Sequence, residues 1–208
     1  MQNLTNIGEL AFAMAINKDS YTSVDIQTNQ KLTIEKRAFY NTRFEDTRFS
    51  TYANYGNTER KCLETVKIRA KGLDIQASAF SNREGLTSAD IQSTGIINIG
   101  SNAFSAYHYI GNEQTGESWG FTTRPLRKMW YRTNDTTLDY IKITGPVNYI
   151  GSQAFCGHIN ICQVIINDPR KDNTTGGITI GKQAFAYCFN GNIQEGKSGK
   201  VEINGPSN

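Results

Sequence analysis

The 208-residue chain has few of the residues and patterns that mark catalytic, membrane or nucleic-acid-binding proteins. It contains only two histidines and four cysteines. Its 22 basic and 19 acidic residues leave a net charge of +3, too weak a field to predict a nucleic-acid or membrane-surface partner. No apolar run approaches a membrane span, so we expect no membrane insertion within this chain. The N-terminal "MQNLTNIGELAF" lacks the basic and apolar regions of a signal peptide.

Catalytic and cofactor-binding motifs are also missing. The patterns G-x-x-x-x-G-K-[ST], G-x-G-x-x-G and H-E-x-x-H do not occur. In the segment "CGHINIC", Cys156 and His158 could form a thiol–imidazole pair or a metal site. They are only two residues apart and no C-x-x-C pair is present, so a buried structural role is favoured for the cysteines.

The segment "NDPRKDNTTGG" (167–177) has side-chain oxygens that could bind Ca²⁺. They belong to Asn167, Asp168, Asp172 and Asn173. Their spacing does not match an EF-hand, and Asp, Asn, Gly and Pro are the ordinary residues of turns, so a plain loop is favoured. We therefore expect no catalytic, cofactor-binding or metal-binding residue, and a protein that is not an enzyme.

The sequence does contain a repeated motif, Ile-x-x-x-Ala-Phe. The Ala-Phe pair occurs at 11–12, 38–39, 79–80, 103–104, 154–155 and 184–185. Composition alone would produce about 0.7 such pairs, so the repetition is not accidental. An Ile stands four residues before each Ala, and Gly follows that Ile in four of the six copies. Glu35 and Gln76 take the Gly position in the other two.

A short segment in which β-branched and polar residues alternate lies between successive motifs. Examples are "SVDIQ", "TVKIR", "YIKIT" and "QVIIN", and the chain ends on a half repeat, "KVEINGPSN". The alternation predicts a short strand with one buried face, and Gly-Pro at 145–146 and 205–206 predicts a turn after it. A unit this small cannot bury its own apolar side. We expect the units to stack, with Ile and Phe forming continuous columns and with Gly and Ala where the chain bends.

The motifs "IGSNAF", "IGSQAF" and "IGKQAF", each behind such a strand, resemble the BspA-like leucine-rich repeats of bacterial and protist surface proteins. The resemblance covers essentially the whole chain, although Ile fills most leucine positions, with 22 Ile against 8 Leu. It implies a right-handed leucine-rich-repeat solenoid of mainly short parallel β-strands, turns and short helical bends, with a parallel sheet on one face. We expect one solenoid domain over residues 1–208, built of six units and a terminal half repeat.

Two insertions, at about 41–61 and 107–138, interrupt the repeat after Phe39 and Phe104. The second contains both tryptophans and supplies the candidate partner-binding residues: Trp119, Phe121, Arg124, Arg127, Lys128, Trp130, Tyr131 and Arg132. Aromatic faces and arginines suit sugar rings and protein-binding hot spots. The alternative is that these aromatics anchor a long insertion on the flank of the solenoid. Because both insertions follow an Ala-Phe bend, we expect them on the same side.

The resemblance implies surface attachment or recognition rather than catalysis. We expect a non-enzymatic recognition or adhesion module, at the cell surface or secreted, that binds a protein or glycan partner on a host or neighbouring cell. The alternative is a structural spacer within a larger surface protein, without a ligand of its own.

Overall fold

The computed structural model describes residues 3–13, 23–40, 65–81, 88–105, 140–156, 163–170, 176–186 and 200–205. Within these ranges the chain forms twelve β-strands and no helix. The first sheet contains, in order, β1 (Asn6–Ile7), β3 (Lys31–Ile34), β5 (Gly72–Ile75), β7 (Ile97–Ile99), β9 (Val147–Ile150) and β11 (Thr179–Ile180). The second contains β2 (Ser23–Gln27), β4 (Thr65–Ala70), β6 (Ser88–Ser93), β8 (Tyr140–Thr144), β10 (Gln163–Asn167) and β12 (Lys200–Asn204).

Successive strands alternate between the two sheets, and all pairings within each sheet are parallel. A strand of the second sheet, a strand of the first and the bend that follows form one rung. Five complete rungs lie between two half rungs, since β1 has no preceding strand and β12 no following strand among the described residues. The predicted repeat solenoid is confirmed. It has two sheets where the resemblance implied one.

The core consists of apolar columns that run perpendicular to the strands. In the second sheet the first column comprises Val24, Val66, Ala89, Ile141, Val164 and Val201, and the next comprises Ile26, Ile68, Ile91, Ile143, Ile166 and Ile203. The first sheet contributes Ile7, Ile34, Ile75, Ile99, Ile150 and Ile180. Ile68, Ile91, Ile143 and Ile166 are fully buried. Burial of a side chain of this size stabilises the fold by about 1.5–3 kcal/mol, so the columns hold the rungs together.

The phenylalanines of the motif form a stacked column. Consecutive rings in the series Phe12, Phe39, Phe80, Phe104, Phe155 and Phe185 are nearly parallel, with centroids 4.7 to 5.4 Å apart. This separation matches the spacing of hydrogen-bonded strands, about 4.8 Å. In the first five of these residues, Phe12 to Phe155, the Phe N–H also donates to the Ala carbonyl of the next rung, for example Phe104 to Ala154 at 2.7 Å. The predicted Phe and Ile columns are therefore confirmed.

The bends that carry Ala-Phe are tight turns rather than the short helical bends that we expected. In each, the Ala N–H donates to the carbonyl three residues earlier, as in Ala154 to Gly151 at 3.2 Å. The residue before the Ala has a left-handed φ of 56 to 59° in all six turns: Leu10, Arg37, Ser78, Asn102, Gln153 and Gln183. The strained bend is thus at that residue and not at the Gly of the motif.

The Gly of the motif allows close approach between rungs. A Cβ on Gly151 would lie 2.4 Å from the Ser101 nitrogen, and one on Gly181 would lie 2.5 Å from the Ser152 nitrogen. At Gly8, in the first half rung, a Cβ would meet nothing within 4 Å. At Gly151 and Gly181 the absence of a side chain therefore lets the turn approach the backbone of the previous turn closely.

In the two copies that have Glu or Gln instead of Gly after the motif Ile, the side chain forms hydrogen bonds to the previous turn. The Glu35 carboxylate accepts from the Glu9 N–H at 2.9 Å and from the Asn6 side-chain amide at 2.9 Å. The Gln76 carbonyl oxygen accepts from the Lys36 N–H at 3.2 Å. Both departures from the motif thus supply an additional link between rungs.

Candidate interaction surface

The eight candidate partner-binding residues, Trp119 to Arg132, lie outside the described residues. So do the aromatic residues of the first insertion, which are Phe44, Phe49, Tyr52 and Tyr55. The structure does describe the residues from which each insertion departs and to which it returns. The first connects Tyr40 to Thr65 and the second connects Ser105 to Tyr140.

These four flanking residues belong to one edge of the solenoid, which we call the connector edge. It consists of the ends of the Ala-Phe turns and the first residues of the second-sheet strands. Because the strands are parallel and in register, their first residues lie side by side, and the stacked Phe rings align the turns in the same way. All six connections between rungs depart from this edge: 14–22, 41–64, 82–87, 106–139, 157–162 and 187–199.

The rungs differ in the length of the connection that joins each turn to the strand of the next rung. Two connections span six residues, 82–87 and 157–162, which shows that six residues are enough to join one turn to the next strand. The two long connections depart after Phe39 and Phe104, which are separated only by Phe80 in the ring column. Their points of departure are therefore two rungs, or about 10 Å, apart.

The outer face of the second sheet has a row of alternating charge. The residues are Asp25, Lys67, Asp90 and Lys142, followed by Ile165 and Glu202. Asp90 is also 3.4 Å from the Arg69 guanidinium. Opposite charges on neighbouring strands favour the observed register by a few tenths of a kcal/mol per pair and leave the face nearly neutral. In the sequence, the residues of this row are the ones between the two inward-facing apolar residues of each second-sheet strand.

The family comparison agrees with this architecture. Six copies of the BspA type leucine rich repeat region match residues 33–118 and 131–195, more than half of the chain. The chain belongs to the BspA type leucine-rich-repeat family. Repeats of this family form protein-interaction modules, are generally non-enzymatic and are typically surface-associated in bacteria. No curated protein and no solved structure matches the chain.

The described part of this BspA type repeat contains no group of His, Cys, Asp and Glu that could hold a metal ion. In the same ranges, no helix is long and apolar enough to cross a membrane.

Asp168, one of the four residues considered for Ca²⁺, has a structural role in the BspA type repeat. Its side chain is fully buried and accepts from the Val147 N–H at 2.9 Å and from the Arg170 Nε at 2.9 Å. The Arg170 guanidinium also donates to the Val147 carbonyl. Val147 begins β9, where the two-residue β11 of the next rung is too short to pair with it. The Asp168–Arg170 pair thus replaces the missing strand contact.

The electrostatics at Asp168 follow from these contacts. Burial alone would raise the pKa of the carboxyl group, but hydrogen bonds from Arg170 and from the Val147 N–H, together with the Arg170 charge, hold it below its usual value. The same ion pair raises the pKa of the Arg170 guanidinium. Asp168 and Arg170 therefore remain charged, and the carboxylate oxygens are already occupied by protein donors. Asp172 and Asn173 lie outside the described residues.

Cys156, from the segment "CGHINIC", directly follows a Phe of the ring column. It is 2% exposed and is a free thiol, and burial raises its pKa to about 11. A thiol with so high a pKa is neutral at physiological pH and is a poor nucleophile and metal ligand. The buried structural role that the sequence favoured fits this environment. His158 and Cys162 lie outside the described residues.

Proposed function

We propose that this chain is a non-enzymatic recognition or adhesion module, at the cell surface or secreted, that binds a protein or glycan. The observation that carries the proposal is the arrangement at the connector edge. Two long connections depart from a rigid stack of rungs only about 10 Å apart, at positions where six residues would suffice to continue the fold. A rigid scaffold that holds long loops is the usual design of a recognition protein.

The side chains of the second insertion supply the chemistry in this proposal. Trp119 and Trp130 offer flat apolar faces, and Arg124, Arg127 and Arg132 offer planar cations. Tryptophan and arginine dominate the energetic centres of protein interfaces, and aromatic faces also stack on sugar rings. In this proposal the partner belongs to a host or neighbouring cell surface and presents either a protein patch or a glycan.

Alanine replacement of Trp119 and Trp130 tests the proposal. We expect the double variant to lose binding on an array of matrix proteins and glycans by at least about tenfold, with an unchanged thermal midpoint, because hot-spot truncation costs about 2 kcal/mol or more. Tyr149→Ala is the matched control and should keep binding, because it removes an aromatic from β9 of the first sheet, away from the connector edge. A lower midpoint without lost binding would show that the tryptophans only anchor the insertion.

The alternative function is a structural spacer, and the outer face of the second sheet favours it. That face consists largely of small polar residues and a row of charges that neutralise one another, which is typical of a solvated surface. A chain that binds nothing on the array while the Trp variants keep full stability would support the spacer.

A further inference from the structure

One arginine among the described residues contacts an aromatic ring where the other two contact a carboxylate. Arg69 and Arg170 each lie against an aspartate. Arg37, in the Ala-Phe turn after β3, is exposed and forms no ion pair with a described residue. Its guanidinium carbon lies 5.7 Å from the centre of the Tyr40 ring. The Arg37 cation is therefore held in place without being neutralised by the described part of the chain.

The carboxylate closest to Arg37 in the sequence is directed towards the previous rung. Glu35 accepts from the Glu9 N–H at 2.9 Å and from the Asn6 side-chain amide at 2.9 Å. Lys36, which precedes Arg37, is exposed and adds a second cation. The same two positions of the other five turns contain at most one cation. The turn after β3 is therefore the most basic of the six at these positions.

The contact with Tyr40 prepares Arg37 to bind an anion. A guanidinium that lies against a ring keeps the N–H groups of its edge available, and that edge binds a planar or tetrahedral oxyanion through two parallel hydrogen bonds. Because the ring restricts the side chain beforehand, less rotamer freedom is lost on binding. Tyr40 is also the residue from which the first insertion departs, about 10 Å from the second. The pair therefore belongs to the connector edge.

We propose that Arg37, held by Tyr40, binds a sulfate or carboxylate group of the partner, and that this partner is an acidic glycan. The inference rests on the proposed function, since it names the class of partner that the connector edge binds. The composition of the second insertion has the complementary charge: segment 118–134 contains four basic residues and no acidic one, whereas acidic residues slightly outnumber basic ones in the rest of the chain. A sulfated glycan combines repeated anions with sugar rings, which match the arginines and the aromatic faces respectively.

The first test titrates the 208-residue chain with a heparin oligosaccharide and with its desulfated form by isothermal titration calorimetry. The inference predicts that the desulfated form binds at least about tenfold more weakly and that heparin binding weakens as the salt concentration rises. Arg37→Gln weakens heparin binding at least about tenfold, because charge-assisted hydrogen bonds are lost. Arg69→Gln is the matched control: it removes the same charge from the end of β4, where Arg69 contacts Asp90, and leaves binding unchanged.

The second test separates the planar guanidinium from its charge. Arg37→Lys keeps the charge and loses the planar fork, and Tyr40→Leu loses the ring, so each weakens heparin binding at least about fivefold, with folding checked by circular dichroism.

Three outcomes would each overturn the inference: equal binding of the desulfated oligosaccharide, equally tight binding of a DNA oligonucleotide, or unchanged binding by Arg37→Gln. If the wild type then still binds an uncharged glycan or a protein on the array through Trp119 and Trp130, only the acidic glycan is rejected and the proposed function stands. A chain that binds nothing on the array and no heparin overturns both.

Discussion

At the scale of single residues, the Ile-x-x-x-Ala-Phe copies pack their Ile, Ala and Phe in columns and take a left-handed conformation at the residue before Ala. The buried Ile, Ala and Phe were predictable because they recur in every copy. The left-handed residue before Ala was not, since only Asn102 is of a type that favours that conformation and the others include Leu10, Arg37 and Gln153. The stacked rungs impose this conformation, and the intrinsic preferences of these residue types do not predict it.

Replacement of a motif glycine tests the close approach between turns. We expect Gly151→Ala to lower the free energy of unfolding by about 1–3 kcal/mol, because its Cβ would meet the Ser101 backbone nitrogen at 2.4 Å. Gly8→Ala, where a Cβ meets nothing within 4 Å, is the matched control and should be nearly neutral. Urea denaturation measures the free energy of unfolding of both variants. Equal effects of the two substitutions would show that packing between rungs is not the reason for the glycine.

The Asp168 carboxylate makes a pH-dependent contribution to stability. Its pKa in the folded chain is below the usual value of about 3.9, so the contribution is complete above that pH and is lost as the pH falls through the folded value. We expect Asp168→Asn to be less stable than the wild type at about pH 7, with the difference shrinking below about pH 4.

Urea midpoints at several pH values measure this difference. Asp25→Asn, which removes an exposed carboxylate from the outer face of β2, is the control. A gap between Asp168→Asn and the wild type that stays constant down to about pH 3 would contradict the assignment.

At the scale of elements, the strands of the second sheet were predicted from their alternation, and those of the first sheet were not. The first-sheet strands are short, for example Leu32-Thr33-Ile34 within β3 and Ile97-Asn98-Ile99 in β7. Three alternating residues are too few for a periodicity to be recognised. They become strands because each pairs in register with an equivalent segment on the neighbouring rung, which is a long-range contact.

The stacked column of Phe rings predicts that removing a ring from its middle destabilises the chain more than removing a ring from its end. Phe104→Ala should destabilise the chain by about 3–5 kcal/mol, since the ring is 1% exposed and stacks on Phe80 and Phe155. Phe12→Ala should cost clearly less, because that ring is 51% exposed. Chemical denaturation compares the two variants. Similar costs would mean that the column does not stabilise the fold through burial.

At the scale of the whole molecule, the solenoid was predictable from the sequence, whereas the candidate interaction surface stays a prediction. Six copies of one motif specify stacking, because a single unit cannot bury its Ile and Phe and its neighbours in a stack can. The candidate residues from Trp119 to Arg132 were selected by composition, which indicates what a side chain can bind and not where it lies. That both long connections depart from one edge depends on the parallel register of the second sheet, and the described rungs supply that register.

The central claim is that the stacked rungs stabilise the fold and that the long connections bind the partner. Its most direct test replaces residues 106–139 with the six-residue connection 82–87 and measures thermal stability and binding on the protein and glycan array. We predict that the shortened chain keeps its β-sheet circular dichroism and cooperative unfolding, because six residues already join other rungs, and that it loses binding. A shortened chain that fails to fold, or that folds and binds as before, would contradict the claim.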